Sequence, residues 1–192
     1  ICRQNNLILI EDCAHSLGAE YRGKKVGAFG KISFFSFSRD KVISSVYGGM
    51  TITNDENLAK KIKEYQEKIG YPSYCWISQQ LLHPPVMNWK VLPTYKFLGK
   101  YILVIAQWLH ILSKAVHWKE KRAKKPSYFP KRLPASLAVL AQNQLKKLER
   151  FNAHRKEISQ FYRQELENTA FEIPVDEEQI YLRFTVKHPK AH

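Results

Sequence analysis

The chain has 192 residues, 44% of them hydrophobic and 12% aromatic, enough to bury a substantial core and far from the composition of disordered chains. Its 31 Lys and Arg against 17 Asp and Glu give a net charge of +14, which suits anionic partners. No arginine-rich tract, zinc-finger spacing or aromatic RNA-binding signature accompanies that charge, so no nucleic-acid partner is expected. Cys2, Cys13 and Cys75 are odd in number and form no CxxC pair, which argues against a disulfide framework and a zinc site and fits a reducing, cytoplasmic setting. No secretory signal is seen. The chain opens on Ile1 rather than Met and stops soon after an alternating segment begins, so a fragment cut at both ends is expected.

Leu7 to Ile10 is a wholly apolar run that reads as a buried parallel strand ending in Glu11-Asp12. A carboxylate there lies where open α/β sheets bind ligands; equally, Asp12 could cap a helix starting at Ala14, and spacing alone leans to the cap. Tyr21 to Gly30, with three glycines, reads as a hairpin. Lys31 to Phe37 is a second strand, expected to be buried on both faces, and Ser38 to Lys41 forms a loop at its end. Gly48 and Gly49 lead into a strand to Thr53, and Asn54 or Asp55 can cap a helix whose apolar face is Leu58, Ile62, Tyr65 and Ile69. Strand, loop, strand and helix in this order indicate an α/β layer.

Tyr71 to Leu98, with prolines at 72, 84, 85 and 93, reads as irregular. Lys100 to Lys121 reads as one helix with Lys100, Gln107, His110, Lys114, His117 and Lys121 on a single polar stripe and a very wide apolar arc elsewhere. The stripe argues against a membrane span. An internal or dimer-interface helix is the simpler reading, and a membrane-surface helix, helped by Trp108, Trp118 and the basic Lys119 to Lys125, is the other. His110 and His117 lie seven apart, not at the spacing of a helical metal pair, so they read as surface residues and no metal is expected. After the linker from Pro126 to Pro134, a helix capped by Ser136 is expected to reach about Glu167, roughly 45 Å at 1.5 Å per residue, with Leu137, Ala141, Leu145, Leu148, Phe151, Ile158, Tyr162 and Leu166 as its apolar face. Tyr181 to Lys187 alternates like a half-exposed strand of a second, differently built domain.

Three segments resemble the DegT/DnrJ/EryC1/StrS family of sugar aminotransferases, which depend on pyridoxal 5′-phosphate (PLP) and have the aspartate-aminotransferase fold. They are LILIEDCAHSLGAEYRGKKVGAFGKISFFSFSRDK, with the Gly-Gly pair seven and eight residues after Lys41; TITNDENLAKKI; and LPASLAVLAQNQLKKLERFNAHRKEISQFYRQEL. The resemblance implies an α/β fold. Residues 1–125 would be part of a type I PLP large domain with a mixed, mostly parallel sheet and an apolar insertion at about 71–125. Residues 126–192 would be an interdomain helix and the start of a small α+β domain. It implies Lys41 as the catalytic, cofactor-bearing lysine and proton carrier, and Asp12 as partner of the PLP ring nitrogen, which displaces the cap reading. Ser36, and less directly Ser38, would hold the cofactor phosphate, and His15 would contact the ring where many members carry Gln. Relatives with histidine in place of the lysine dehydrate sugars, so Lys41 favours transamination.

The expected activity is transfer of an amino group, from glutamate, to a keto group on a nucleotide-linked sugar in polysaccharide or sugar-conjugate biosynthesis. A cytoplasmic homodimer is expected, with possible contact to the inner face of a membrane through 100–125, and the chain alone is expected to be inactive. A different reading makes it a non-catalytic membrane-surface or interaction protein that keeps the fold.

Overall fold

In the computed structural model, residues 1–114, 116–117, 119–126, 129–173 and 179–189 are described; Trp118 lies outside them. The sheet is built around β4 (Ile32–Ser36), flanked by β1 (Ile10–Asp12) in parallel and β5 (Gly49–Ile52) antiparallel. Register pairs Ile10 with Ile32 and Asp12 with Phe34 on one side, and Ser33 with Ile52 and Ser36 with Gly49 on the other. This is the expected mixed sheet, but it is covered on one face only. Ser33, Phe35 and the following Phe37 are buried, whereas Phe34 and the whole of Leu7 to Ile10 are exposed. The expected burial on both faces fails because no described element packs over the second one. The core is Cys13, Phe35, Phe37, Ile43 and Ala141, with Leu17, Val26 and Leu148 against it.

The glycine-rich segment is the expected hairpin, β2 (Glu20–Tyr21) paired with β3 (Lys24–Lys25). Glu11 fixes it to the sheet. Its carboxylate accepts from the backbone N–H groups of Gly27, Phe29 and Gly30, at 2.6–2.8 Å, and from Ser33 Oγ at 3.2 Å. Burial would raise its pKa, but these donors more than offset that and hold the carboxyl below its ordinary range. After β5, Asp55 caps α1 (Glu56–Ile69) by accepting from Leu58 N at 2.9 Å, and Gly70 ends it at φ 60°.

The segment read as irregular is helical. Ser73 caps α2 (Tyr74–Val86), and Pro84 and Pro85 remove two donors from its last turn. The chain then continues in wide turns at Met87–Val91 and Tyr95–Gly99, closed by Leu92 N to Met87 O and Gly99 N to Thr94 O, and enters α3 (Lys100–Trp108). The helix expected to reach Lys121 thus ends at Trp108, and His110, at φ 58°, turns the chain back. A single polar stripe from Lys100 to Lys121 therefore does not form.

The long helix expected from Ser136 is two, α4 (Ala135–Leu145) after a Pro134 cap and α5 (Leu148–Leu166), broken where Lys147 takes φ −103°, ψ 2°. Leu137 and Ala141 are buried as expected. On α5 the expected apolar face is not the covered one: Ile158 and Tyr162 are exposed while Asn152 and Ser159 are buried. Tyr181 to Lys187 is no strand. Tyr181 sits at φ 40°, and the segment's one ladder contact among the described residues is an isolated bridge from Lys187 to Glu172.

Candidate functional site

Between β4 and β5 the chain makes a loop whose mouth is closed on Phe37. Its N–H donates to Gly48 O at 2.9 Å and its carbonyl accepts from Ser45 N at 3.0 Å. Inside the loop Val46, buried and β-branched, is held at φ 73° by its N–H donating to Ser44 Oγ at 3.0 Å. Such an outlier marks a backbone that its surroundings over-determine. Gly49 begins β5 so close to β4 that a Cβ there would lie 2.6 Å from Phe35 O, which explains the second glycine of the pair by approach of backbone rather than by a turn.

Lys41 lies in this loop with its side chain 15% exposed. Its Nζ is 2.6 Å from Nε2 of His15, which follows β1. Asp40 Oδ2 is 3.9 Å from the same amine. Ser36, the last residue of β4, has its Oγ 3.1 Å from Ser38 Oγ. Asp12 ends β1 at the carboxyl edge of the parallel pair, exposed. Its Oδ1 accepts from Ala14 N at 3.0 Å, making a turn and no helix, so the helix-cap reading does not hold. The structure thus brings Lys41 to His15 and Ser36 to Ser38, and places Asp12 on the neighbouring strand without contact to either pair. Cys13, next in the chain, is buried, and burial together with the Glu11 charge pushes its thiol up, away from nucleophilic use.

The neighbours of Lys41 are tied to three distant parts of the chain, and none of these ties was singled out from the sequence. Arg39 Nη1 donates to Ser113 O at 2.8 Å and Nη2 to Gln80 Oε1 at 3.3 Å, reaching α2 and the chain beyond α3. Asp40 pairs with Arg183 Nη2 at 3.3 Å, in the C-terminal segment. Val42 O accepts from Arg155 Nη2 of α5 at 2.8 Å. Gln179, Tyr181 and Arg183 also line a cavity of about 290 Å³ with His15 and Ser16. The one available signal was polar spacing: Asn152, Arg155 and Ser159 recur every three or four residues within a helix otherwise read by its apolar positions.

His110 and His117, expected at the surface, line a second cavity of about 390 Å³ with Tyr47, Trp76 and Trp108. Among the described residues no cluster of His, Cys, Asp and Glu could hold a metal ion.

The donor set fits PLP in chemical type. The cofactor needs an amine for its aldehyde, hydroxyl donors for its phosphate and a carboxylate for its ring nitrogen, and Lys41, Ser36 with Ser38, and Asp12 are those groups on one edge of the sheet. The model of the DegT/DnrJ/EryC1/StrS aminotransferase family matches residues 1–73 and 106–191. The chain belongs to this family. It is 48% identical over 63 residues to a GDP-perosamine synthase of Caulobacter vibrioides, covering 33% of this chain and 17% of the relative. It is 41% identical over 66 residues to a UDP-4-amino-4,6-dideoxy-N-acetyl-beta-L-altrosamine transaminase of Helicobacter pylori, covering 34% and 18%. In fold it resembles an E. coli GDP-4-keto-6-deoxy-D-mannose-3-dehydratase solved with bound hydrated PLP, at a TM-score of 0.58 and 18% identity, over 100% of this chain and 43% of that one. The family chain thus carries a type I PLP fold, and it spans less than half the length of these relatives.

Proposed function

We propose that the protein is a PLP-dependent transferase that moves an amino group, with glutamate as donor, to a keto group on a nucleotide-linked sugar. The observation that carries this is the Lys41 amine, largely sheltered and 2.6 Å from His15, beside the Ser36–Ser38 hydroxyl pair. When bound, PLP supplies an electron sink for the carbon that gains or loses a proton. In this reading Ser36 and Ser38 hold the phosphate by donating hydroxyl hydrogens, and Asp12 keeps the ring nitrogen protonated through its carboxylate. Lys41 attaches the cofactor through its amine and, once released, carries a proton at Nζ. His15 hydrogen-bonds that nitrogen and limits where it can swing. Lysine rather than histidine at position 41 supports transamination over dehydration. We further place the protein in the cytoplasm as a homodimer, with residues 1–125 in the large domain and 126–192 forming the interdomain helices and the start of the small one.

The test is chemical tagging of the intact protein. PLP followed by borohydride should fix a pyridoxyl group on Lys41, located by peptide mass, and Lys41→Ala should carry none. Equal labelling of many lysines, or none at Lys41, overturns the reading.

A further inference from the structure

The apolar face of α3 points the wrong way for a helix packed into its own domain. Phe97, Leu98, Tyr101, Val104, Ile105 and Trp108 recur at helical spacing and are all exposed, Phe97 at 79%, Val104 at 63% and Trp108 at 74%, while the opposite side carries the buried Gly99 and Ala106. An amphipathic helix ordinarily turns that stripe inward. Trp89, 78% exposed, and Tyr95 extend the surface onto the neighbouring wide turns. A contiguous apolar patch of this kind marks an interaction site.

Three further observations identify what covers it. From Lys68 to Lys119 there is no Asp or Glu, and the exposed Lys90, Lys96 and Lys100 lie within the same wide turns and helix start. Lys121 to Lys125 then adds four more cations close after it. Second, the family model matches up to residue 73 and resumes at 106, so all of the face but Trp108 is carried by a segment that lies outside the shared family pattern. Third, among the described residues no helix is long and apolar enough to cross a membrane. Apolar side chains, Trp and Tyr on one surface, lysines around it and no carboxylates are the features of an element that lies in a headgroup layer.

We propose that the face formed by the wide turns and α3 docks the protein on an anionic lipid surface. The aromatic and aliphatic stripe enters the headgroup boundary, and Lys90, Lys96 and Lys100 meet lipid phosphates. This goes beyond the proposed chemistry and does not depend on it, so PLP tagging of Lys41 should be unchanged in the variants below.

The experiment is co-sedimentation of the intact protein with vesicles of phosphatidylcholine alone or mixed with phosphatidylglycerol. Wild type should pellet with the mixed vesicles, less so at high salt, and remain in solution with the neutral ones. At about 1 kcal/mol, or roughly fivefold, per lysine, Lys90→Gln/Lys96→Gln/Lys100→Gln should partition on the order of a hundredfold more weakly. Val104→Ser/Ile105→Ser/Trp108→Ser keeps every charge and should still lose at least about tenfold, because it removes the buried apolar area. All changes are at exposed positions, and far-UV circular dichroism identifies any variant that fails to fold; the wild-type comparison of the two vesicle types decides independently of them. Wild type that stays in solution with phosphatidylglycerol vesicles overturns the proposal, as does undiminished binding by the apolar variant. It is overturned equally if the apolar variant lowers the oligomeric state while wild type ignores vesicles, since the face would then lie between protein chains.

Discussion

Arg155→Ala should loosen the loop that carries Lys41 from a position two turns inside another helix. Arg155 donates to Val42 O and to Asn152 Oδ1, both at 2.8 Å, and Asn152 in turn donates to Leu17 O at 3.4 Å. Val42 is buried, so truncation removes a charge-assisted bond of about 1.5–3 kcal/mol and leaves its carbonyl without water to replace the donor, at about 1–3 kcal/mol. Against this, burial already pulls the guanidinium pKa down, and removing a partly desolvated cation recovers some of that cost. A net loss of about 2–3 kcal/mol is expected, a large part of the roughly 5–15 kcal/mol that holds a domain folded. Arg155→Lys should fall between, since an ammonium on a flexible stem cannot reproduce the forked contact with both acceptors. The measurements are the urea midpoint of the intact protein and the extent of pyridoxyl labelling at Lys41 at limiting PLP. An Arg155→Ala protein within about 0.5 kcal/mol of wild type, with unchanged labelling, would refute the claim that α5 positions the lysine loop.

Gly49→Ala places a methyl 2.6 Å from Phe35 O, a backbone atom that cannot swing aside, so β4 and β5 must part; a loss of about 1–3 kcal/mol in urea unfolding is expected, with faster amide exchange along both strands. His83, whose pKa is pushed down to about 4 by burial and then by the Arg39 charge, holds fewer protons folded than unfolded between there and its ordinary 6.5. Stability should therefore fall as pH drops through that window and be flat above it, by about 1–2 kcal/mol at the lower end after discounting for partial exposure, and His83→Gln should flatten the profile in denaturant titrations at successive pH values. Glu11→Gln sets an amide against several N–H donors, of which it can satisfy fewer; it should cost about 1–3 kcal/mol at pH 7. Because the folded Glu11 pKa lies below its ordinary value, the wild-type advantage is present above the ordinary value and is lost progressively below it, as pH falls through the lowered folded one, which the same titrations will follow.

Much of the sheet was legible because its signals are local. The apolar run into Asp12, the apolar stretch from Lys31 to Phe37, the hairpin glycines and the Asp55 cap each act within a few residues, and each led to an element near where it was expected, though the two strands are not buried on both faces. Legibility ended where a residue's partner lies far off in sequence. Tyr181 to Lys187 alternates like a strand, yet a strand needs a neighbour's ladder, and one bridge to Glu172 is what the described chain offers. Asn152 and Ser159 defeat an apolar-face reading of α5 because polar side chains are buried when backbone carbonyls satisfy them, as Leu17 O does for Asn152 and Lys156 O for Ser159. Lys41, Asp12, His15, Ser36 and Ser38 were expected from the family resemblance, but the ties of Arg39, Arg155 and Arg183 were not, since what they grip is a backbone carbonyl or a side chain 41 to 143 residues away.

Those three arginine contacts give the loop a logic that single residues do not. Arg39, Asp40 and Val42 surround Lys41 in sequence, and each is tied to a different part of the chain: the helical segment after Tyr71, the C-terminal segment and α5. The exposed Asp40–Arg183 pair is worth little on its own, about 0–1 kcal/mol, so it can open without disturbing the fold. The Arg155 and Arg39 ties are more sheltered and end on acceptors that water does not readily reach, so they set where the loop sits. Arg39 in particular grips Gln80, which is fully buried in α2, and Ser113, which follows the exposed apolar face of α3. Arg39 thus ties the loop beside Lys41 to the helical segment after Tyr71, while Arg155 ties the opposite side of the loop to α5. Lys41 therefore lies in a loop held from two sides, by α5 through Val42 and by α2 through Arg39, in addition to the contact of its amine with His15.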